Sequence, residues 1–491
     1  MKNKLLNLNR IIAACALLGL SLSITQCKKD LEKSNLKAER LSKVMSINAV
    51  PKSINVDPNN YYKKNTDTIN KYLNDTNVSK LTLNYTSTGW KVGKLIMNVE
   101  GQELHIAGNG LSPGKLIAGE ETTAINDPFY AINSIMIKIE ADGCIINGYS
   151  NGSDTTAGIA TIQMTKYRYD SIGGFTASEG RHIISTSGKS NITIKGLLLK
   201  NPASDGIYLG SGAGTPTNID VTDVTVDGAT RNGLTIIEGD QIDILRSEFI
   251  NTAGSYQYIK ADGPFSGVDI EPNSVSDMIK LVTFRKCLWS GNQSHQLQIG
   301  LGKLYGATPI TDSLKIRFYG CTVVGGSAAG IKISGLKPTG PVGSLYFQDL
   351  VVKNIPSNAI YINTWAADRA RLLFNDVEIR NTATLLTSSA PIKFDHNQSY
   401  KGGDLNFQKV YVDDSMNSHH QAILLGDGSS QVGFKDITGT ASATTPPAFA
   451  IKLNSTQNGN AAYTGIIFKN PTPSTSNPND NVTITATKVT Y

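Results

Sequence analysis

The sequence predicts an all-β, single-domain solenoid of short strands wound into stacked coils. Three observations carry that prediction: a five-residue phrase that recurs along most of the chain, a second strand-like phrase between its copies, and no stretch of helical periodicity of useful length after residue 80. The first phrase reads Asp205-Gly-Ile-Tyr-Leu209, Asn232-Gly-Leu-Thr-Ile236, Ser266-Gly-Val-Asp-Ile270, His295-Gln-Leu-Gln-Ile299, Ala329-Gly-Ile-Lys-Ile333, Asn358-Ala-Ile-Tyr-Ile362, Ala390-Pro-Ile-Lys-Phe394 and Gln421-Ala-Ile-Leu-Leu425. Its copies lie 27, 34, 29, 34, 29, 32 and 31 residues apart, an elastic period that insertions at the corners of a coil would produce.

The second phrase includes Ile192 to Leu199, Ile219 to Val226, Ile242 to Phe249, Leu345 to Val352 and Leu372 to Ile379. Most copies read as two period-2 strands joined by a polar or glycine corner. Three short strands per coil cannot bury their apolar side alone, whereas stacked coils can. This pattern resembles the right-handed parallel β-helix superfamily, the pectate-lyase-like fold, over residues 81–470. The resemblance implies rungs about 4.8 Å apart and inward columns of like residues. Ile207, Leu234, Val268, Leu297, Ile331, Ile360 and Ile392 should form one column, and Cys287 with Cys321 a small apolar ladder in another.

Residues 51–80 read as an N-terminal cap. Asn65 to Leu73 opens on N-cap residue types and places Ile69, Tyr72 and Leu73 on one face, which predicts a short capping helix. The segment 471–491 reads as a C-terminal loop followed by a last strand from Val482 to Thr490.

The first residues bear on the compartment. Lys2, Lys4 and Arg10 precede an apolar stretch from Ile11 to Ile24, too short to span a bilayer, that ends in Thr25-Gln26-Cys27. This resembles a bacterial lipoprotein signal over residues 1–26. The resemblance implies lipidation of Cys27, a tether over 27–50, and an exported protein held at the outer membrane by its lipid alone. An ordinary cleaved signal with an incidental Cys is the alternative. Of the five Cys, the three left after the signal are too sparse for a disulfide framework. The net charge of +6 comes without a dense Lys/Arg stripe, which argues against a nucleic-acid partner.

Chemistry is expected where the fourth residue of each phrase points away from the core. That column reads Tyr208, Thr235, Asp269, Gln298, Lys332, Tyr361 and Lys393, an odd set for a plain solvated face. Asp269 and Glu271 are two apart on one strand, so their carboxylates should leave the same face about 7 Å apart. That spacing lies within the roughly 6.5–9.5 Å of an inverting glycosidase. The pair also suits Ca²⁺ as oxygen ligands, the one cofactor the sequence suggests. Asp205 and Lys332 complete the candidate catalytic set. Arg231, Asn232, Gln298, His295, Tyr208, Tyr361, Trp365 and Tyr258 are the candidate contacts for a polysaccharide or oligosaccharide, whose rings stack on aromatic faces. Three functions stay open: a glycoside hydrolase built on the acid pair, a polysaccharide lyase using Lys/Arg with or without calcium, and a non-catalytic glycan-binding surface lipoprotein.

Overall fold

A computed structural model describes residues 49–469 apart from 58, 111, 119–134, 154–157, 165, 167–179, 211–214, 253–262, 366–368, 384–389, 396–404, 415–422, 426–431, 442–450 and 454–461. Cys27, Tyr258 and the segment 471–491 lie outside the described residues. Among the described residues the regular structure is almost wholly strand, with one long helix, and the strand-to-strand ladders are parallel, as in a β-helix. The described strands form one hydrogen-bonded sheet of 20 strands and another of 12.

The larger sheet contains two faces of each coil, because many of its strands bend in the middle without breaking. Ile192–Lys200, Thr217–Asp227, Val342–Ile355 and Ala370–Thr382 each contain a left-handed residue where the second phrase has its corner: Gly196, Asp223, Asp349 and Asp376. Glycine reaches that conformation freely, and Asp and Asn reach it more cheaply than other residues. The next corner repeats the device with Asn201, Gly228, Asn251, Gly291, Gly325, Asn354 and Asn381.

The smaller sheet carries the recurring phrase. Its register pairs Ile207 with Leu234, Leu234 with Val268, Val268 with Leu297, Leu297 with Ile331, Ile331 with Ile360, and Ile360 with Ile392. All seven are fully buried, as the alternation requires. The second position of the phrase is Gly or Ala in six of its eight copies, where the chain enters the strand against the next coil. A Cβ on Gly233 would stand 2.5 Å from the carbonyl oxygen of Gly267 and 2.9 Å from Cβ of Phe249. Inside the larger sheet Phe284, Phe318, Phe347, Phe374 and Phe407 stack with ring centroids 5.0, 4.5, 4.7 and 4.8 Å apart, one ring per rung. Such pairs add about 0.5–1.5 kcal/mol each beyond the area they bury. Cys287 and Cys321 are buried free thiols on adjacent rungs, the apolar ladder predicted for them.

The helix spans Tyr62–Leu73 and begins three residues before the predicted start, with Tyr61 as an N-cap that makes no side-chain cap bond. Asn65 serves another purpose. Its Nδ2 donates to the carbonyl of Lys91, while Thr66 Oγ1 accepts from the Gly93 amide and Asn70 bonds both Lys94 O and Ile96 N. The polar groups that resembled caps therefore satisfy backbone of the first coil, and Ile69 and Leu73 close its apolar end.

Candidate active site

The fourth residues of the phrase form one continuous row. Tyr208, Thr235, Asp269, Gln298, Lys332, Tyr361 and Lys393 are paired in that order, one per rung. The row was expected to be open to solvent throughout, but Thr235 and Asp269 have no exposed surface. Residues that precede the strands, among them Asp205 and Asn232, bond to these side chains, so the middle of the row is a buried polar cluster.

Asp205 anchors the cluster. One oxygen accepts from Arg231 Nη1 and Thr235 Oγ1, both at 3.0 Å, and the other from the Asn232 amide at 3.0 Å. His182 Nδ1 stands 3.4 Å from the same carboxylate, and its ring stacks on Tyr208 with centroids 4.5 Å apart. Burial holds the His182 imidazole down at about 4, so it is neutral at pH 7, and Arg231 is then the cation that the described residues place on Asp205. Asp205 was expected at the edge of a groove as a catalytic acid. It is instead fully buried with both oxygens occupied, because the Arg231 side chain and the Asn232 backbone converge on it.

Asn232 links Asp205 to the next rung. Its Nδ2 donates to Thr235 Oγ1 at 3.0 Å and reaches Asp269 Oδ2 at 3.4 Å, while its Oδ1 accepts the Ser266 amide. Asp269 is served much less well, since its Oδ1 is buried and takes no donor. Burial pushes the Asp269 carboxyl well above the usual carboxylate range, and the neighbouring Glu271 pushes it further. Glu271 lies close enough to Asp269 for its carboxyl to add to that rise. Neighbouring carboxyls raise one another because the second negative charge is opposed by the first. Glu271 lies just past the strand Val268–Ile270, so strand geometry alone does not fix the roughly 7 Å expected between the two carboxyls.

The remaining predicted contacts divide. Gln298, Lys332, Tyr361 and His295 are half-buried on the rungs after Asp269. His295 Nδ1 stands 3.3 Å from the Ala329 carbonyl, and burial, then the nearby Lys332 charge, lowers its imidazole to about 4. Lys393 places its ammonium 5.4 Å from the centre of the Tyr361 ring. Trp365 is not a sugar platform. It ends the strand Ile360–Trp365, is fully buried, and donates from Nε1 to the Ala370 carbonyl at 2.8 Å, so it packs in the core.

No family model matches the chain, and no curated protein matches its sequence. Among solved structures, it is similar to the catalytic domain of a GH87 alpha-1,3-glucanase in complex with nigerose, with a TM-score of 0.51 and 12% identity over 90% of this chain and 69% of that one. It is also similar to the A-module of the mannuronan C-5 epimerase AlgE6 of Azotobacter vinelandii, with a TM-score of 0.45 and 13% identity over 76% of this chain and 92% of that one. The likeness is one of fold.

The sequence reading named Asp205, Arg231, Asn232 and Asp269 but did not find the Asp205–Arg231 pair or the Thr235 bond that joins it. The signal was present, since Asp205 and Asn232 share a phrase position on adjacent rungs. Among the described residues no group of three or more His, Cys, Asp or Glu is placed to hold a metal ion.

Proposed function

We propose that the protein is a glycoside hydrolase acting on an extracellular polysaccharide, with Asp269 as general acid and Glu271 as general base. The observation that carries the reading is Asp269, a fully buried carboxyl that burial and the adjacent Glu271 push well above the usual carboxylate range. A raised carboxyl can protonate a leaving glycosidic oxygen at neutral pH. Glu271, half-buried and just past its strand, is the base for an incoming water, and inversion needs about 6.5–9.5 Å between the two carboxyls. It takes the proton of that water as oxygen attacks the anomeric carbon, and the leaving sugar departs with the Asp269 proton. Asp205, Arg231 and Asn232 hold Asp269 in place. The fold shared with an alpha-1,3-glucanase domain supports a carbohydrate substrate.

A lyase is the second reading, favoured by His295: a neutral imidazole beside Lys332 is a base with a cation next to it. A panel of polysaccharides assayed for new reducing ends and for the absorbance of unsaturated uronates separates the two. Reducing ends without absorbance support the hydrolase, both signals together the lyase, and neither signal on any polymer the glycan-binding lipoprotein. Export with a lipid on Cys27 belongs to the same proposal. Cys27→Ser should move the protein from the membrane fraction to the soluble one, and retention in the membrane would refute the anchor.

A further inference from the structure

We infer that Cys287 and Cys321 are a disulfide site, where a covalent cross-link closes one whole coil of the solenoid and fastens two neighbouring rungs. The site is independent of any sugar chemistry. Each Cys follows a left-handed corner residue, Lys286 on one rung and Gly320 on the next, and both side chains turn into the interior at the same point of the coil. Backbone bonds fix the register. The Leu288 amide donates to the Ser247 carbonyl, the Thr322 amide to Cys287 and the Val351 amide to Cys321. Ser247, Cys287, Cys321 and Leu350 therefore form one buried column, and the two thiols are the neighbours in it that oxidation can join.

A rung spacing of about 4.8 Å puts the two Cα atoms within the roughly 4.4–6.8 Å that a disulfide spans. Cys321 Sγ already leans toward its neighbour: it lies 3.8 Å from the carbonyl oxygen of Phe284, which belongs to the rung of Cys287. Cys287 Sγ leans the same way, 3.6 Å from the Ile244 carbonyl oxygen one rung earlier. Rotation of Cys287 about its Cα–Cβ bond toward the next rung is the movement that closure requires. A cavity of about 330 Å³, lined in part by Arg246, Lys286, Cys287 and Gly320, gives Cys287 an approach from outside.

The oxidant is another disulfide, a small molecule or that of a thiol oxidase. The Cys287 thiolate attacks one of its sulfurs, which forms a mixed disulfide and releases the first thiolate. The Cys321 thiolate then attacks Cys287 Sγ, the Cys287–Cys321 bond forms, and the second thiolate leaves. In total the two protein thiols give up two protons and two electrons, and the oxidant takes them to become two thiols. Burial pushes the Cys287 thiol well above its ordinary range, so closure is faster during folding, while the coil is still open, than in the folded chain. The two Cys stand 34 residues apart, and closing a loop of that length stabilises mainly by restricting the unfolded chain.

The test refolds the denatured full chain in oxidised glutathione, alkylates the free thiols under denaturing conditions, and maps tryptic peptides without reduction. The same map is read on folded chain held in oxidised glutathione, so the answer does not depend on refolding yield. The expected product joins the peptide Cys287–Lys303 to Phe318–Lys332, lighter by two hydrogens than the two together, and separates on treatment with dithiothreitol. Cys144, a buried free thiol on a distant coil, should be alkylated in every sample. Alkylation of both Cys287 and Cys321 in both preparations overturns the inference, as does a cross-link that joins either of them to Cys144 instead.

Discussion

Asp205 and Asp269 are both carboxyls without exposed surface, on the same face of the coil and two rungs apart, yet their surroundings differ. Asp205 receives Arg231, Thr235 and the Asn232 amide. Asp269 receives one long bond from Asn232 and faces Glu271. A buried carboxylate with its charge matched and its lone pairs filled is part of the architecture. One that lacks donors keeps a proton and is available for chemistry. Burial alone does not tell the two apart, but the donor count does.

Four measurements sharpen or break that contrast. The largest effect should come from Asp205→Ala, which leaves the Arg231 charge buried without its partner and should cost about 3–5 kcal/mol in denaturant unfolding. A loss below 1 kcal/mol would mean that Asp205 is not the anchor. Asp269→Asn should do the reverse. An amide resembles the protonated carboxyl, so stability should hold within about 1 kcal/mol while turnover falls about 10²–10⁴-fold.

The third measurement is the pH dependence of stability. His182 titrates at about 4 when folded against an ordinary 6.5, so its contribution is complete above 6.5 and lost as pH falls toward 4. Asp269 has the opposite sign: its folded value is raised, so stability declines as pH rises from the usual carboxylate range to that value. His182→Gln should flatten the acid limb, and Asp269→Asn should remove the decline. An unchanged profile in both variants would refute the burial of the two groups. The smallest effect is expected from Trp365→Phe, which removes one core hydrogen bond worth about 0.5–1.5 kcal/mol and should leave sugar affinity untouched. A weakened affinity would restore Trp365 to the site.

The sequence made the coil legible because alternation and recurrence are local. Ile207, Leu234 and Val268 had to stack once each phrase was one rung, and the Cys287–Cys321 ladder followed from the same register. Trp365 was misread because an aromatic at a strand end looks the same whether it turns in or out. The helix start was misread because Asn65 and Thr66 suit a cap as well as they suit the backbone of a neighbouring strand.

The amino-acid order by itself determined the solenoid, its rung register and the row in which Asp269 stands, since these follow from period-2 side-chain alternation repeated at a near-constant interval. Only the tertiary structure decided that Asp205, beside that row, is matched by a cation while Asp269, within it, is left with a raised carboxyl. That depends on donors contributed by separate coils, Arg231 and Asn232 on one and Glu271 on the next, whose distances no spacing along the chain specifies.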